Sequence, residues 1–449
     1  MADKDPERDR LTGRLGRFAR VGAGLTAAGA GYGANLLFGG DAAEERNARL
    51  LKEALGKLKG PLMKAAQMVA TVPDLLPPEF AKQLAELQAN APAMGAGFVR
   101  RRMAAELGAD WESKFQSFEL EAAAAASLGQ VHRAVGLDGR RLAVKLQYPE
   151  MESALESDLS QMRALMALGR SLYGAVDTSE IAVEVSERLR EELDYGREAR
   201  HMALYGGFFD ARPDIAVPQP VFSLSTKRLL TMEWLDGRGL MTFKTADQET
   251  RNRIARLLFQ AWWTPMTKLG VIHGDPHLGN YTFAGEADRL NLLDFGCVRI
   301  FPPAFVGGVV DLYRALSSGD REAQMAAYRG WGFKGLTPEL VETLNVWARF
   351  IYGPLLDDRV RTVADGVAPG EYGRREAFAM KQALQEKGPV TIPREFVFMD
   401  RAAIGLGAAF LHLGAELNWR SLFEESLEGF SVEVLARRQA ATLQAVGLA

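Results

Sequence analysis

Apolar positions recur at intervals of three and four through Leu50, Leu51, Leu55, Leu58, Leu62 and Met63, the spacing of one helix face. They sit in a stretch, 42–88, that predicts helix until Pro73, Pro77 and Pro78 interrupt it, with Phe80–Leu87 resuming. Phe98–Leu107 predicts a further short helix, and at Trp111 the composition shifts toward strands. Val131–Val135 and Arg141–Gln147 then alternate in the strand manner around Gly136-Leu137-Asp138-Gly139, which predicts a β-hairpin. Helix dominates from Ser153 to Phe208, short strands return at Val217–Val221 and Arg228–Trp234, and after Pro302 the pattern is helical almost to the end. No internal repeat interrupts this order.

Composition adds limits. At 449 residues the chain is long enough for two or three packed lobes, and its 47% hydrophobic and 25% charged residues are ordinary globular values that exclude a disordered or fibrous chain. A formal net charge of -3 provides no basic field to gather nucleic acid, so a polyanion has to be held by a local site. Cys297 is the single cysteine and has no partner for an internal disulfide, which fits a reducing compartment and a small packed residue. At the N-terminus, Arg8, Arg10, Arg14, Arg17 and Arg20 precede an uncharged segment, Val21–Gly40. Its glycines dilute it too far for a spanning helix, leaving two readings: a segment at a membrane interface, with Gly29 and Gly33 in small-xxx-small spacing, or a flexible leader.

The chemistry concentrates between His273 and Gly296. Phosphoryl transfer needs an aligned hydroxyl or water and cations that neutralise a polyphosphate, tasks for carboxylates and an amide. In HGDPHLGN, Asp275 precedes Asn280 by five positions, the spacing of a kinase catalytic loop, and Asp294 heads an Asp294-Phe295-Gly296 triplet fourteen residues after Asn280. Leu290–Leu293 predicts a buried strand, and the turn-like Ala284-Gly285-Glu286-Ala287-Asp288 predicts a hairpin that brings Asn280 and Asp294 together as magnesium ligands. Asp275 is the expected base or water-positioning group. His273 and His277 are four apart, but Pro276 spoils the helix that a metal pair at that spacing needs. His273 is therefore assigned to support of the loop, and His277 has no assignment.

Upstream, Leu142-Ala143-Val144-Lys145 has the pattern of a kinase strand whose lysine meets the α- and β-phosphates of ATP and pairs with a helical glutamate. A helix through Glu191–Glu198 is expected to carry the partner, with Asp194 and Glu198 on one face and Glu192 about 120° round the axis from Glu198. Where a glycine-rich loop would cover a nucleotide, the chain has Ala122-Ala123-Ala124-Ala125-Ala126-Ser127-Leu128-Gly129-Gln130. Each Cβ narrows the backbone choices that glycine permits, so phosphate cradling by successive N–H groups is less adaptable; an alanine-rich helix start is the alternative.

That alanine run with Ser127-Leu128-Gly129-Gln130-Val131-His132, the Glu192-Leu193-Asp194-Tyr195 stretch and Lys64-Ala65-Ala66-Gln67 together resemble the UbiB (aarF-like) atypical kinases, over a region from about Arg14 to the C-terminus. The resemblance implies an α+β, two-lobed protein-kinase-like fold in which the alanine loop replaces the glycine loop and a helical extension carrying Lys64 and Gln67 guards the site. It further implies that Lys64 pairs with Glu192 and Lys145 with Glu198, and that the family is an ATPase or small-molecule kinase supporting ubiquinone or other isoprenoid-lipid metabolism at membranes. Ala66 departs from the family's Gly.

The expected organisation is a basic arm and Gly/Ala segment over 1–41, a helical extension over 42–120, an N-lobe over 121–235 and a mostly helical C-lobe over 236–449. The expected nucleotide contacts are Ala123, Ala124, Ala125, Ala126, Ser127 and Lys145, with Glu233 and Trp234 at a hinge meeting adenine, and the cofactors are ATP and Mg2+. Expected partners are ATP, an isoprenoid-lipid precursor and lipid-biosynthesis enzymes, with peripheral membrane contact from a cytoplasmic location and no nucleic acid. Two rivals stand beside this reading: a small-molecule phosphotransferase of the aminoglycoside or choline kinase sort, and a non-catalytic ATP-dependent scaffold.

Overall fold

A computed structural model describes residues 94–126, 128–148, 190–333, 335–367 and 394–449, together with Met151 and Glu187. The helices expected over 42–88, the basic arm, Lys64, Gln67 and Ser127 lie outside the described residues. The described chain divides into two compact units, one taking residues up to Gly196 together with Val221–Glu233, the other taking Arg197–Pro220 and Trp234–Ala449. Among the described residues no helix is long and apolar enough to cross a membrane.

The described part of the first unit begins with helix α1 (Ala96–Leu107) and strands β1 (Phe115–Phe118), β2 (Ala124–Ala126), β3 (Gly129–Gly136) and β4 (Arg141–Gln147). Helix α2 (Tyr195–Phe208) begins at its boundary, β5 (Ile215–Ala216) belongs to the second unit, and β6 (Leu229–Glu233) returns to the first. The sheet runs β1-β3-β4-β6 with β2 added on β3. Its core joins Phe98, Val99 and Met103 of α1 to Trp111, Phe115, Leu142, Val144, Leu146 and Leu229. The predicted hairpin is β3–β4, in register from Gly129 opposite Gln147 to Val135 opposite Arg141. Lying between β3 and β6, β4 is buried at every position after Arg141, so its burial does not alternate as the sequence pattern does.

One alternative falls here and one expectation changes. The alternative of a helix start fails for the alanine run: Ala124, Ala125 and Ala126 form an edge strand opposite Val131, Gln130 and Gly129. Helix propensity yields because the adjoining β3 offers a ladder of backbone partners. Nor is Glu191–Glu198 one helix. The helix breaks at Leu193 and Asp194 before α2 starts. The Leu193 carbonyl accepts from Gln147 Nε2 at 3.1 Å and the Tyr195 N–H donates to Lys227 O at 2.9 Å, so groups that an unbroken helix would pair internally are satisfied by β4 and by the chain just ahead of β6. The inferred angular relation between Glu192 and Glu198 therefore does not hold.

In the second unit, β7 (Arg238–Gly239) and α3 (Gln248–Leu269) lead to β8 (Val271–Ile272), β9 (Tyr281–Ala284), β10 (Arg289–Leu292) and β11 (Arg299–Ile300). One small sheet has the order β5-β10-β9-β7, and β8 pairs with β11. The strand expected at Val217–Val221 lies instead at Ile215–Ala216, parallel to β10, because Pro218 and Pro220 lack the N–H a ladder requires. Asp247 caps α3 by accepting from the Thr250 N–H at 2.8 Å, and Gly270 ends it in the left-handed region at φ 67°. Helices follow as expected: α4 (Pro303–Ser318), α5 (Arg321–Gly330), α6 (Pro338–Leu356), α7 (Arg394–Leu413), α8 (Trp419–Leu427) and α9 (Val432–Ala445).

Candidate active site

The end of α3 delivers β8, and β8 delivers His273-Gly274-Asp275. On the return, Asp294-Phe295-Gly296 precedes β11, and the pairs Ile272–Arg299 and Val271–Ile300 tie the two segments side by side. Gly274 lies in this clamp with φ +75°, and a Cβ there would stand 1.9 Å from the Cys297 carbonyl oxygen. Only glycine permits both that backbone angle and that approach.

Asp275 is oriented at both its carboxylate and its carbonyl. Its Oδ2 accepts from Asn280 Nδ2 at 2.9 Å, bringing together two of the predicted site residues, and its Oδ1 accepts from the His277 N–H at 3.4 Å. Its carbonyl accepts from the Tyr281 hydroxyl at 3.0 Å, and that hydroxyl accepts in turn from Trp262 Nε1 at 3.0 Å. His277, unassigned by sequence, accepts from the Gly279 N–H at Nδ1 (3.1 Å) and caps the short 3-10 turn Leu278–Asn280. Asp294 Oδ1 accepts from the Gly296 N–H at 2.9 Å, an Asx-type turn that fixes the triplet.

Beneath the loop, the His273 ring lies 5.4 Å from Phe295, 5.8 Å from Tyr281, 6.2 Å from Trp262 and 6.3 Å from Tyr205, between centroids. His273 Nδ1 lies 3.3 Å from the Asp275 carbonyl, which can only accept, so the proton is assigned to Nδ1. Burial pushes this imidazole below its ordinary pKa, against the opposing pull of Asp275 and Asp294, and it stands neutral at pH 7. The same burial, reinforced by the Asp275 charge, raises the Tyr281 phenol well above its ordinary value, so its hydroxyl remains a donor. His201, on α2, adds an Nδ1 contact of 3.1 Å to the Phe295 carbonyl.

The first unit presents the other candidates. Lys145 is 7% exposed on β4, and its Nζ lies 5.0 Å from the centroid of Tyr195. Glu192, at the end of the interrupted helix, and Glu198, on α2, are both buried. Lys145 and Glu192 belong to the first unit, whereas Glu198, Asp275, Asn280 and Asp294 belong to the second. In the alanine run, Ala123, Ala124 and Ala125 are exposed and Ala126 half-buried, and the Ala123 N–H already donates to Val131 O at 2.8 Å, so it is not available to a phosphate in this conformation. Glu233 ends β6 opposite Leu142, and Trp234 begins the second unit with its Nε1 donating to Asp236 at 2.9 Å.

Sequence reasoning gave no role to Tyr281, Trp262, Tyr205, His201 or Tyr195. Two of these were within reach, since Tyr281 directly follows Asn280 and Tyr195 directly follows Glu192-Leu193-Asp194. Gln130 also acquires a role: its Oε1 accepts from the Met94 N–H at 2.7 Å and its Nε2 donates to Met94 O at 3.2 Å, binding the chain just ahead of α1 to β3.

Asn280 and Asp294 supply hard oxygen donors, and no cluster of three or more His, Cys, Asp or Glu side chains suited to a metal occurs among the described residues. Such a donor set fits Mg2+, which takes one or two protein oxygens and completes its shell with phosphates and water, and does not fit zinc.

A family model described as ABC1 atypical kinase-like domain matches residues 86–328, more than half of the chain. The zebrafish (Danio rerio) protein named atypical kinase COQ8B, mitochondrial, is 29% identical over 354 residues, covering 76% of this chain and 57% of its own length. The mitochondrial atypical kinase COQ8 of Saccharomyces cerevisiae is 29% identical over 263 residues, covering 58% of this chain and 52% of its own. The chain thus spans little more than half the length of these two relatives. Among solved structures, the complex of Rv3197 with erythromycin from Mycobacterium tuberculosis aligns with a TM-score of 0.58 and 26% identity, over 85% of this chain and 96% of that one.

Proposed function

Because the chain belongs to the ABC1 atypical kinase-like family, with the α+β protein-kinase-like fold, we propose that it binds ATP with Mg2+ and cleaves the γ-phosphoryl bond in support of ubiquinone or other isoprenoid-lipid metabolism. The observation that carries this reading is the Asp275–Asn280 contact of 2.9 Å on a loop clamped by β8–β11 to the Asp294 triplet. Mg2+ held by Asn280 and Asp294 would offset the charge of the β- and γ-phosphates. Asp275, with its carboxylate fixed by Asn280 and the His277 N–H, orients the attacking water or hydroxyl and takes its proton. Lys145 meets the α- and β-phosphates, and the UbiB resemblance implies that Lys64 and Gln67 guard the site against protein substrates. The lipid assignment rests on the UbiB resemblance, with the basic arm docking peripherally on the membrane that holds the precursor.

The test is thermal. MgADP should raise the Tm of the wild type, and Asp294→Ala should keep the fold but lose the shift. A shift of wild-type size in the variant overturns the metal assignment. Phosphate release from MgATP, stimulated by anionic vesicles, separates an ATPase from a scaffold; a nucleotide shift with no release favours the scaffold.

A further inference from the structure

Tyr195 is 1% exposed, and the Lys145 ammonium lies 5.0 Å from its ring centroid, within reach of a cation–π contact. A buried ammonium needs compensation. The face of a ring contributes to it by electrostatic attraction and itself occupies no N–H group.

The ring is held by the strand that carries the lysine. Lys145 and Gln147 share one face of β4, and Gln147 Nε2 grips the Leu193 carbonyl two residues before Tyr195. The Tyr195 N–H is fixed on Lys227 O at 2.9 Å. Gly129 lies opposite Gln147 in the ladder, and a Cβ on it would stand 2.9 Å from the Tyr195 hydroxyl oxygen and 2.2 Å from Leu146 O. Gly129 thereby leaves room for the hydroxyl end of the ring, which gives the glycine of Ser127-Leu128-Gly129-Gln130 a physical purpose.

We infer that Tyr195 is a positioning residue for nucleotide binding, its ring face holding the Lys145 ammonium at the height where it meets the phosphates. The inference rests on the reading of Lys145 as a phosphate ligand. Its seat consists of Gly129, Gln147 and Tyr195, all of the first unit.

The test replaces Tyr195 in the full chain with phenylalanine and then with mono-, di- and trifluorophenylalanine, rings of nearly constant size whose negative face weakens with each fluorine. The dissociation constant for MgADP is measured by calorimetry, and kcat and KM for MgATP by phosphate release. Tyr195→Phe should bind within about twofold of wild type, and the constant should then rise stepwise by roughly tenfold across the series, the scale of a desolvated cation–π contact. KM should follow it while kcat changes less. A ring that only fills space would leave both constants flat, and a flat series with a normally binding wild type overturns the inference alone. Failure of the wild type to bind MgADP overturns the nucleotide reading and this inference with it.

Discussion

Replacing Gly274 with alanine adds one methyl group at the point where the catalytic loop meets the segment after Asp294. With φ at +75°, a residue bearing a Cβ costs roughly 1–2 kcal/mol relative to glycine on backbone grounds. The new Cβ would also lie 1.9 Å from the Cys297 carbonyl oxygen, where ordinary contact begins at 3.4 Å. The obstacle is backbone and cannot rotate away, so β8 and β11 must separate, and overpacking of this kind costs about 1–3 kcal/mol. Together these give about 3 kcal/mol, which for more than two hundred residues lowers Tm by roughly 6–12 °C. Displacing Asp275 by about 1 Å should also lower turnover on the order of a hundredfold. Differential scanning fluorimetry and phosphate release measure the two effects. A variant melting within about 1 °C of the wild type, with turnover intact, would refute the argument that this approach demands glycine.

Two further outcomes follow from buried groups. Burial lowers the pKa of His273 and His132 below 6.5, so the unfolded chain takes up protons near that pH while the folded chain does so only lower. Stability is thus complete above about pH 6.5 and falls as pH drops through the window beneath, by at most about 1.4 kcal/mol per pH unit for each histidine; His132→Gln should flatten the decline of Tm, and an unchanged slope would refute its share. Gln439 Nε2 donates to both Leu269 O and Phe301 O at 2.9 Å, fastening α9 beneath β8 and β11. Gln439→Leu should cost about 2 kcal/mol in denaturant unfolding, and Gln439→Glu more, because a carboxylate would face two carbonyls; equal stability of Glu and Gln would sink the assignment.

What was legible in the sequence was what depends on neighbours in the chain. The β3–β4 hairpin, the strand before Asp294, and the turn joining β9 to β10 all follow from local alternation and turn residues. The clamp could be guessed from motif order, but the reason for glycine at 274 required the carbonyl of Cys297, a partner set by pairing between β8 and β11. The break before α2 depends on Gln147, 46 residues from Leu193, and the fastening of α9 depends on contacts across 170 residues. The alanine run left a loop and a helix start open, because its own preference is helical while the strand partner that overrides it, β3, follows within a few residues.

The carbonyl that walls Gly274 belongs to the chain's single cysteine, a residue only 4% exposed. A small thiol reagent can reach it only when the segment after Asp294 separates from its neighbours, so every modification event counts one opening. The rate of labelling is therefore an internal clock for the loop, readable by mass without any engineered probe, and a ligand that bridges Asp294 and Asn280 would lower the logarithm of that rate in proportion to the free energy with which it holds that segment shut.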